Sequence, residues 1–192
     1  MKETGFFGGT FDPIHVGHIN FVIEIKEKLN LKKIIFCPTS ISPFKIENPP
    51  EARAKDRYEM VKLAIKDING FELIDNEIHK KNAAYTIDTL NILKEKDKLR
   101  LIISEDALAS FHLWKDYKEI LNTAPLIVGI RKKEFANFKS ENFSLDSENF
   151  VKTKIFEISS TEVRERLKKR LYVGHLVPKE VLDYIYMRKL YL

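Results

Sequence analysis

The 192-residue sequence predicts an α/β fold: a single doubly wound domain over residues 1–192, with a mostly parallel sheet and C-terminal helices. Three observations carry this. Short β-branched and aromatic runs recur along the chain without polar/apolar alternation, as strands buried on both faces do. Segments of helical period separate them, the order that builds βαβ units. A chain of this length can also bury about 70% of the surface its unfolded form exposes, enough for a core without disulfides or a structural metal.

Gly5-Phe6-Phe7 is the first strand candidate, and the turn from Gly8 to His18 leads into a helix over His18–Lys28. Ile34-Ile35-Phe36 is the second strand. Pro38, Pro43, Pro49 and Pro50 break any regular element in the loop that follows. A helix is expected over Glu51–Ile65, a strand at Phe71–Ile74, a helix over Thr86–Lys96 and a strand at Leu101-Ile102-Ile103. Asp116–Leu121 reads as a helix and Leu126-Ile127-Val128 as a strand. The polar stretch Lys132–Asn149, with Phe135, Phe138, Phe143 and then Phe150, reads as a long surface excursion within the domain. A last strand is expected at Lys154-Ile155-Phe156. After it, Ser159-Ser160-Thr161-Glu162 has the hydroxyl-then-carboxylate pattern of a capped helix start, continued by Val163–Lys169. Pro178 suits a first turn ahead of a final helix over Lys179–Arg188.

Composition narrows the function classes. Cys37 is the only cysteine, so no intramolecular disulfide can form, which points to a reducing compartment. No apolar stretch reads as a signal peptide or approaches the ~20 residues of a membrane span, so a cytoplasmic protein without a membrane partner is expected. The net charge of +5 is compatible with anionic partners. The basic run Arg164–Arg170 is interrupted by Glu165 and carries Val163, Leu167 and Leu171 at helical period. It reads as the solvated face of an amphipathic helix rather than a nucleic-acid site. A non-catalytic nucleotide or nucleic-acid binding module is the rival reading from another class.

Two motifs carry chemistry. Gly8-Gly9-Thr10-Phe11-Asp12-Pro13-Ile14-His15-Val16-Gly17-His18 stands between the first strand and the first helix. There glycines let backbone approach an anion and a helix start offers N–H groups and a positive dipole end. Neither Gly-x-x-x-x-Gly-Lys-Ser/Thr nor Gly-x-Gly-x-x-Gly is present. His15 and His18 can be read as metal ligands, as helix caps bonded to backbone, or as donors to a transferring phosphoryl group. His79, His112 and His175 have no spacing that completes a metal site, and none is expected. The strand-turn-helix context favours the phosphoryl role. In the second motif, Ile158-Ser159-Ser160-Thr161-Glu162-Val163-Arg164, hydroxyls at a helix start precede an arginine by about one turn. That is an ordinary N-cap with a surface arginine, or a second anion site with a guanidinium fork.

Taken together these segments resemble the signature of the nucleotidylyltransferase superfamily with the HxGH motif, and most closely the bacterial nicotinate-nucleotide adenylyltransferases. Pro38–Lys45 resembles that family's Pro-rich loop ending in Pro-His-Lys. Ala84-Tyr85-Thr86-Ile87-Asp88-Thr89-Leu90 is similar to its Ser-Tyr-Thr-x-Asp-Thr-Leu segment, Ile102–Trp114 to its Gly-Ala-Asp-x-Leu…Trp segment, and Tyr184-Ile185…Leu190-Tyr191 to its ending. Phe44 stands where the family usually has histidine, and Ser104-Glu105 replaces Gly-Ala before Asp106.

The resemblance implies a Rossmann-like fold and adenylyl transfer from ATP, carried with Mg²⁺, to nicotinate mononucleotide, yielding deamido-NAD and pyrophosphate in NAD biosynthesis. It assigns Gly8, Gly9, Thr10, Phe11, His15, His18, Ile158, Ser159, Ser160 and Arg164 to ATP, with His15, His18 and Arg164 acting on the reacting phosphates. Lys45, Tyr85, Thr86, Asp106 and Trp114 fall to the mononucleotide. Taken singly, Trp114 could be core, Lys45 a solvated loop lysine and Asp106 a helix cap. Glu105 would repel a doubly anionic acceptor, so the amide form, nicotinamide mononucleotide, stays open; another phosphorylated acceptor such as phosphopantetheine is a separate alternative within the superfamily. A homodimer is compatible with the family, though no spacing shows it.

Overall fold

The computed structural model describes residues 2–43, 46–80, 83–130, 138–154 and 156–192. In chain order the elements are β1 (Thr4–Gly9), α1 (Val16–Lys28), β2 (Lys33–Pro38), α2 (Ala54–Ile65), β3 (Phe71–Leu73), α3 (Thr86–Leu93), β4 (Leu99–Ser104) and α4 (Glu105–Leu108). A 3-10 turn (Phe111–Leu113), α5 (Tyr117–Thr123), β5 (Leu126–Ile130), β6 (Phe138–Lys139), β7 (Ser144–Leu145), a second 3-10 turn (Ser147–Asn149) and β8 (Phe150–Lys152) follow. The chain closes with α6 (Ser160–Lys168) and α7 (Lys179–Arg188).

The main sheet has the order β3-β2-β1-β4-β5-β8, and β1 on β4, β4 on β5 and β5 on β8 all run parallel. Chain order reverses between β1 and β4, which makes this the doubly wound α/β sheet expected from the sequence. Its strands are apolar on consecutive residues: Ile34, Ile35, Phe36, Leu101, Ile102, Ile103, Leu126, Ile127 and Val128 are all buried. Both faces are covered, so both side-chain sets of each strand stay out of water.

Two compact units can be separated: Met1–Phe7 with Phe21–Ile35 and Tyr85–Ile155, and Gly8–Asn20 with Phe36–Ala84 and Phe156–Leu192. In the first, α3 packs on α5, and Phe111 gathers Trp114, Tyr117 and Phe143 at ring distances of 5.4, 6.1 and 5.4 Å. Phe143 thus anchors the polar excursion, whose described part forms the small β6–β7 ladder. In the second, α2 packs on α7, where the buried Asp56 carboxylate accepts Tyr184 Oη at 2.9 Å and Arg188 Nε at 3.3 Å. Burial and that carboxylate push the Tyr184 hydroxyl up to about 12.

The strand expected at Lys154-Ile155-Phe156 is displaced. It lies at Phe150–Lys152, while Lys154 and Phe156 are irregular and Ile155 is outside the described residues. The ladder on β5 ends where Thr153 N–H reaches Ile130 O, and the next N–H, from Lys154, turns away to the Glu24 carboxylate. The helix expected from Glu51 begins only at Ala54, because Glu51 and Ala52 spend their N–H groups on Asp12. No helix among the described residues is long and apolar enough to cross a membrane.

Candidate functional site

The two chemistry-bearing motifs meet in the second unit. β1 ends at Gly9, and the chain turns through Phe11, which takes a left-handed φ of 49°. The Phe11 ring folds back on Gly9, where a Cβ would stand 2.8 Å from it, so a side chain there would have to push the ring aside. His15 and His18 bracket the start of α1 and stack face to face, with centroids 3.7 Å apart and planes 25° apart. A Cβ on Gly17 would meet the His15 ring at 3.0 Å. The glycine between the histidines is what lets the imidazoles lie together.

Each histidine accepts the other's main-chain N–H at Nδ1: His15 N donates to His18 Nδ1 and His18 N to His15 Nδ1, both at 3.3 Å. An Nδ1 that accepts carries no proton in the neutral ring, so Nε2 is the N–H donor of both imidazoles. The capping and phosphoryl readings of these residues are therefore complementary: one nitrogen caps, the other donates. Val16 N–H is taken by Leu176 O at 2.9 Å, which removes another helix-start donor from the anion-binding duty that the sequence suggests for α1.

α6 is brought to the same place. Ser160 Oγ donates to Pro13 O at 2.9 Å, and Ile158 Cβ lies 3.7 Å from the Cβ position of Gly17. Ser159 is a true N-cap, accepting Glu162 N–H at 3.1 Å. Arg164 Nη1 donates to Asp12 O at 2.7 Å, its Nε to Glu51 Oε1 at 2.9 Å, and its Nη2 makes a long 3.4 Å contact with Thr161 Oγ1. Lys168 Nζ shares the same Glu51 oxygen at 2.9 Å. The Lys168 bond and, next among the favourable influences, Arg164 hold the Glu51 carboxyl below its ordinary value against the opposing effect of burial.

Beneath the turn lies a network that sequence reasoning missed. The buried Asp12 carboxylate accepts Glu51 N–H at 2.9 Å, Ala52 N–H at 3.1 Å and Tyr191 Oη at 2.7 Å. Burial and Asp12 push the Tyr191 hydroxyl far up. Arg57, on α2, sits wholly inside. Asp12 and Tyr191 belong to segments the sequence had flagged, but nothing in their spacing shows that they touch. Arg57 gave no signal at all, since a buried arginine looks in sequence like any polar position of an amphipathic helix.

The expected mononucleotide residues lie in the first unit, except Lys45, which with Phe44 is outside the described residues. Tyr85 is the extended N-cap of α3 and Thr86 its first residue. Lys115 Nζ stands 4.6 Å over the Tyr85 ring and 3.5 Å from Asp88. Asp106 lies in the first turn of α4 beside Glu105, with Ser104 as N-cap. Trp114 is half-buried, tilted against Phe111, and is not a core residue.

Comparison with known proteins agrees with this arrangement. The cytidylyltransferase-like family model matches residues 6–166. A protein of Dictyoglomus thermophilum named "Probable nicotinate-nucleotide adenylyltransferase" is 38% identical over 99% of this chain and 100% of its own. One of the same name from Clostridium botulinum strain Alaska E43 is 40% identical over 100% and 98%. The solved structure of Plasmodium falciparum nicotinic acid mononucleotide adenylyltransferase complexed with NaAD has the same fold, with a TM-score of 0.72, 20% identity and coverage of 100% and 98%. The chain is a member of the cytidylyltransferase-like family and, within it, belongs with the nicotinate-nucleotide adenylyltransferases.

Proposed function

We propose that this enzyme joins ATP to nicotinate mononucleotide, forming a phosphoanhydride bond to the α-phosphorus and releasing pyrophosphate. The observation that carries the reading is the paired imidazoles, each with Nδ1 engaged by backbone, following a turn whose Asp12 and Pro13 carbonyls are bonded by Arg164 and Ser160 of α6.

The attacking phosphate oxygen is ionised at neutral pH, so no general base and no covalent nucleophile is needed. The protein has to position two anions and offset the charge that builds on the phosphorus and the leaving pyrophosphate. In this reading His18 Nε2–H donates to the α-phosphate and strengthens as transition-state charge grows. His15 and Thr10 hold the neighbouring phosphates, with Gly8, Gly9 and Phe11 shaping the turn. Arg164, the α6 start from Ile158 and the hydroxyls of Ser159 and Ser160 take the β- and γ-phosphates. Ser160 and Thr161 N–H groups donate to no described residue, which suits an anion at that start. Arg164 must exchange the Glu51 carboxylate for phosphate. Exposed ion pairs are worth roughly 0–1 kcal/mol, so the exchange is easy.

Mg²⁺ is proposed to arrive on the triphosphate, because no three His, Cys, Asp or Glu among the described residues are grouped to hold a metal ion. Bound there, it would neutralise phosphate charge. For the acceptor, the α3 start would receive the nicotinate carboxylate on the Thr86 hydroxyl and main-chain N–H, with Tyr85 setting the extended entry. Trp114 offers a half-open ring face for the pyridine, and Asp106 and Lys45 would contact ribose or phosphate. A second reading, the uncharged amide as acceptor, rests on Glu105, an additional carboxylate beside Asp106.

The test is pyrophosphate release from ATP and Mg²⁺ with nicotinate mononucleotide, nicotinamide mononucleotide and phosphopantetheine in parallel, with the product identified by mass. Preference for the acid is expected. Preference for the amide would keep the mechanism and reassign specificity, and no turnover with any acceptor would refute the reaction.

A further inference from the structure

Arg57 is only 1% exposed, yet its bonds all go to main-chain carbonyls: Nε to Ala52 O at 3.1 Å, Nη1 to Thr10 O at 2.5 Å and Thr39 O at 2.7 Å, and Nη2 to Ser40 O at 2.6 Å. A buried charge is costly unless its surroundings compensate it. An apolar side chain could fill the same volume, so the guanidinium needs a reason.

The reason lies in peptide geometry. A trans peptide is planar, with its C=O and N–H on opposite sides. Turning the carbonyls of Thr10, Thr39 and Ser40 inward onto one cation turns the N–H groups of Phe11, Ser40 and Ile41 the other way. The first belongs to the phosphate-binding turn, and the others to the segment that follows β2, which Thr39 N–H ties to Gly9 O at 3.0 Å. Two independent observations show that the segment after β2 is left with donors. Ser40 and Ile41 N–H groups bond no described residue. The hydroxyls of Thr39 and Ser40 are buried without a partner among the described residues, each residue being only 8% exposed. Orphaned buried hydroxyls cost stability unless a ligand uses them.

We propose that Arg57 is a positioning residue for adenylyl transfer: from beneath, it fixes the peptides of Thr10–Phe11, Thr39–Ser40 and Ser40–Ile41 so that their N–H groups face anionic substrate. The inference rests on the reaction proposed above. It concerns a residue that touches no substrate itself and acts through main chain. Lysine keeps the charge but has no planar fork to span three carbonyls, so Arg57→Lys separates charge from orientation.

The experiment compares wild type, Arg57→Lys and Val61→Ala, all as full-length chains assayed well below their melting temperatures. Val61, a fully buried residue of the same helix one turn beyond Arg57, has a side chain that makes no hydrogen bond and controls for loss of helix packing. We expect Arg57→Lys to lower kcat at least about tenfold, as small misplacements of reacting groups do, and to weaken ATP measured by calorimetry about fivefold. Val61→Ala should match or exceed its loss of Tm with kcat within about twofold of wild type. Equal kcat in the two variants, or full activity in Arg57→Lys, would overturn the proposal. Should wild type turn over no acceptor while Arg57→Lys still weakens ATP selectively, the reaction reading fails and the positioning role on the nucleotide stands.

Discussion

Around Asp12, groups from four separated segments of the chain are bound to one another: Glu51 and Ala52, Arg164, Tyr191, and through Thr10 the buried Arg57. Tyr85, Thr86, Asp106 and Trp114 stand differently. Tyr85 and Thr86 stand at the start of α3, Asp106 in the first turn of α4 and Trp114 at the end of a 3-10 turn, with Lys115 over Tyr85 and Phe111 beside Trp114. The region proposed to handle phosphate is thus held by main-chain and carboxylate bonds, while the groups proposed for the acceptor stand at the ends of short helices. The first suits charge development in a transition state, where reorientation would be costly. The second suits recognition of a ligand that brings its own ring, carboxylate and phosphate.

Removing a donor from the first region should therefore act on kcat and removing one from the second on KM. The largest effect is expected for His18→Ala. Losing one donor aimed at the developing charge elsewhere costs about 10²–10³ in kcat, and Nε2 of His18 is assigned that place. Steady-state kinetics with saturating ATP and mononucleotide, beside a melting curve that shows an intact fold, checks it. Unchanged turnover would remove His18 from the mechanism.

Arg164→Ala comes next. A charge-assisted hydrogen bond contributes about 1.5–3 kcal/mol, so KM for ATP should rise about 10- to 100-fold with a much smaller change for the mononucleotide. Equal weakening of both substrates would show that Arg164 serves the packing of α6 on the Asp12 carbonyl rather than the triphosphate. In the acceptor region, Thr86→Ala should raise KM for nicotinate mononucleotide about three- to tenfold and leave kcat nearly unchanged. An unchanged KM would take the Thr86 hydroxyl out of the carboxylate contact.

The same contrast governs what the amino-acid sequence makes legible. Local pattern was enough for the strand-turn-helix around Gly8–His18, the Ser159 cap and the α7 boundaries, because each depends on neighbours within a turn or two. It was enough, too, for Leu126–Ile130, whose unbroken apolar run has nowhere to go but a sheet interior, and for the edge strand Phe71–Leu73, where the exposed Glu72 alternates with two half-buried apolar residues. What stayed hidden depends on contacts across the chain. Lys154-Ile155-Phe156 has strand-forming residues, yet the ladder to β5 is filled by Phe150–Lys152. Arg57 and Tyr191 look like surface positions of helical or terminal segments, and only the fold encloses them. The histidines were read as donors from context, but that their Nδ1 atoms are occupied by each other's N–H groups is a fact of three dimensions.

The smallest effect should come from Glu51, which occupies Arg164 and Lys168 in the absence of phosphate. Lys168 first, then Arg164, hold its folded-state pKa below the ordinary 4.5. A depressed carboxylate contributes stability that is fully present above the unfolded value and is lost as pH falls through the folded one. The side chain is 40% exposed, so solvent screens the pairs and their worth is a few tenths of a kcal/mol, about 1 °C in Tm for a chain of this size. Glu51→Gln should therefore melt slightly earlier than wild type at pH 7, with the gap closing below about pH 4.5 as the native carboxylate is itself neutralised. Because glutamine competes less for the guanidinium, KM for ATP should fall, by about twofold. A gap in Tm that persists at pH 3, or a KM for ATP that rises in the variant, would mean that Glu51 orients Arg164 for the triphosphate instead of yielding to it, and the preorganisation seen around Asp12 would then extend to this rim as well.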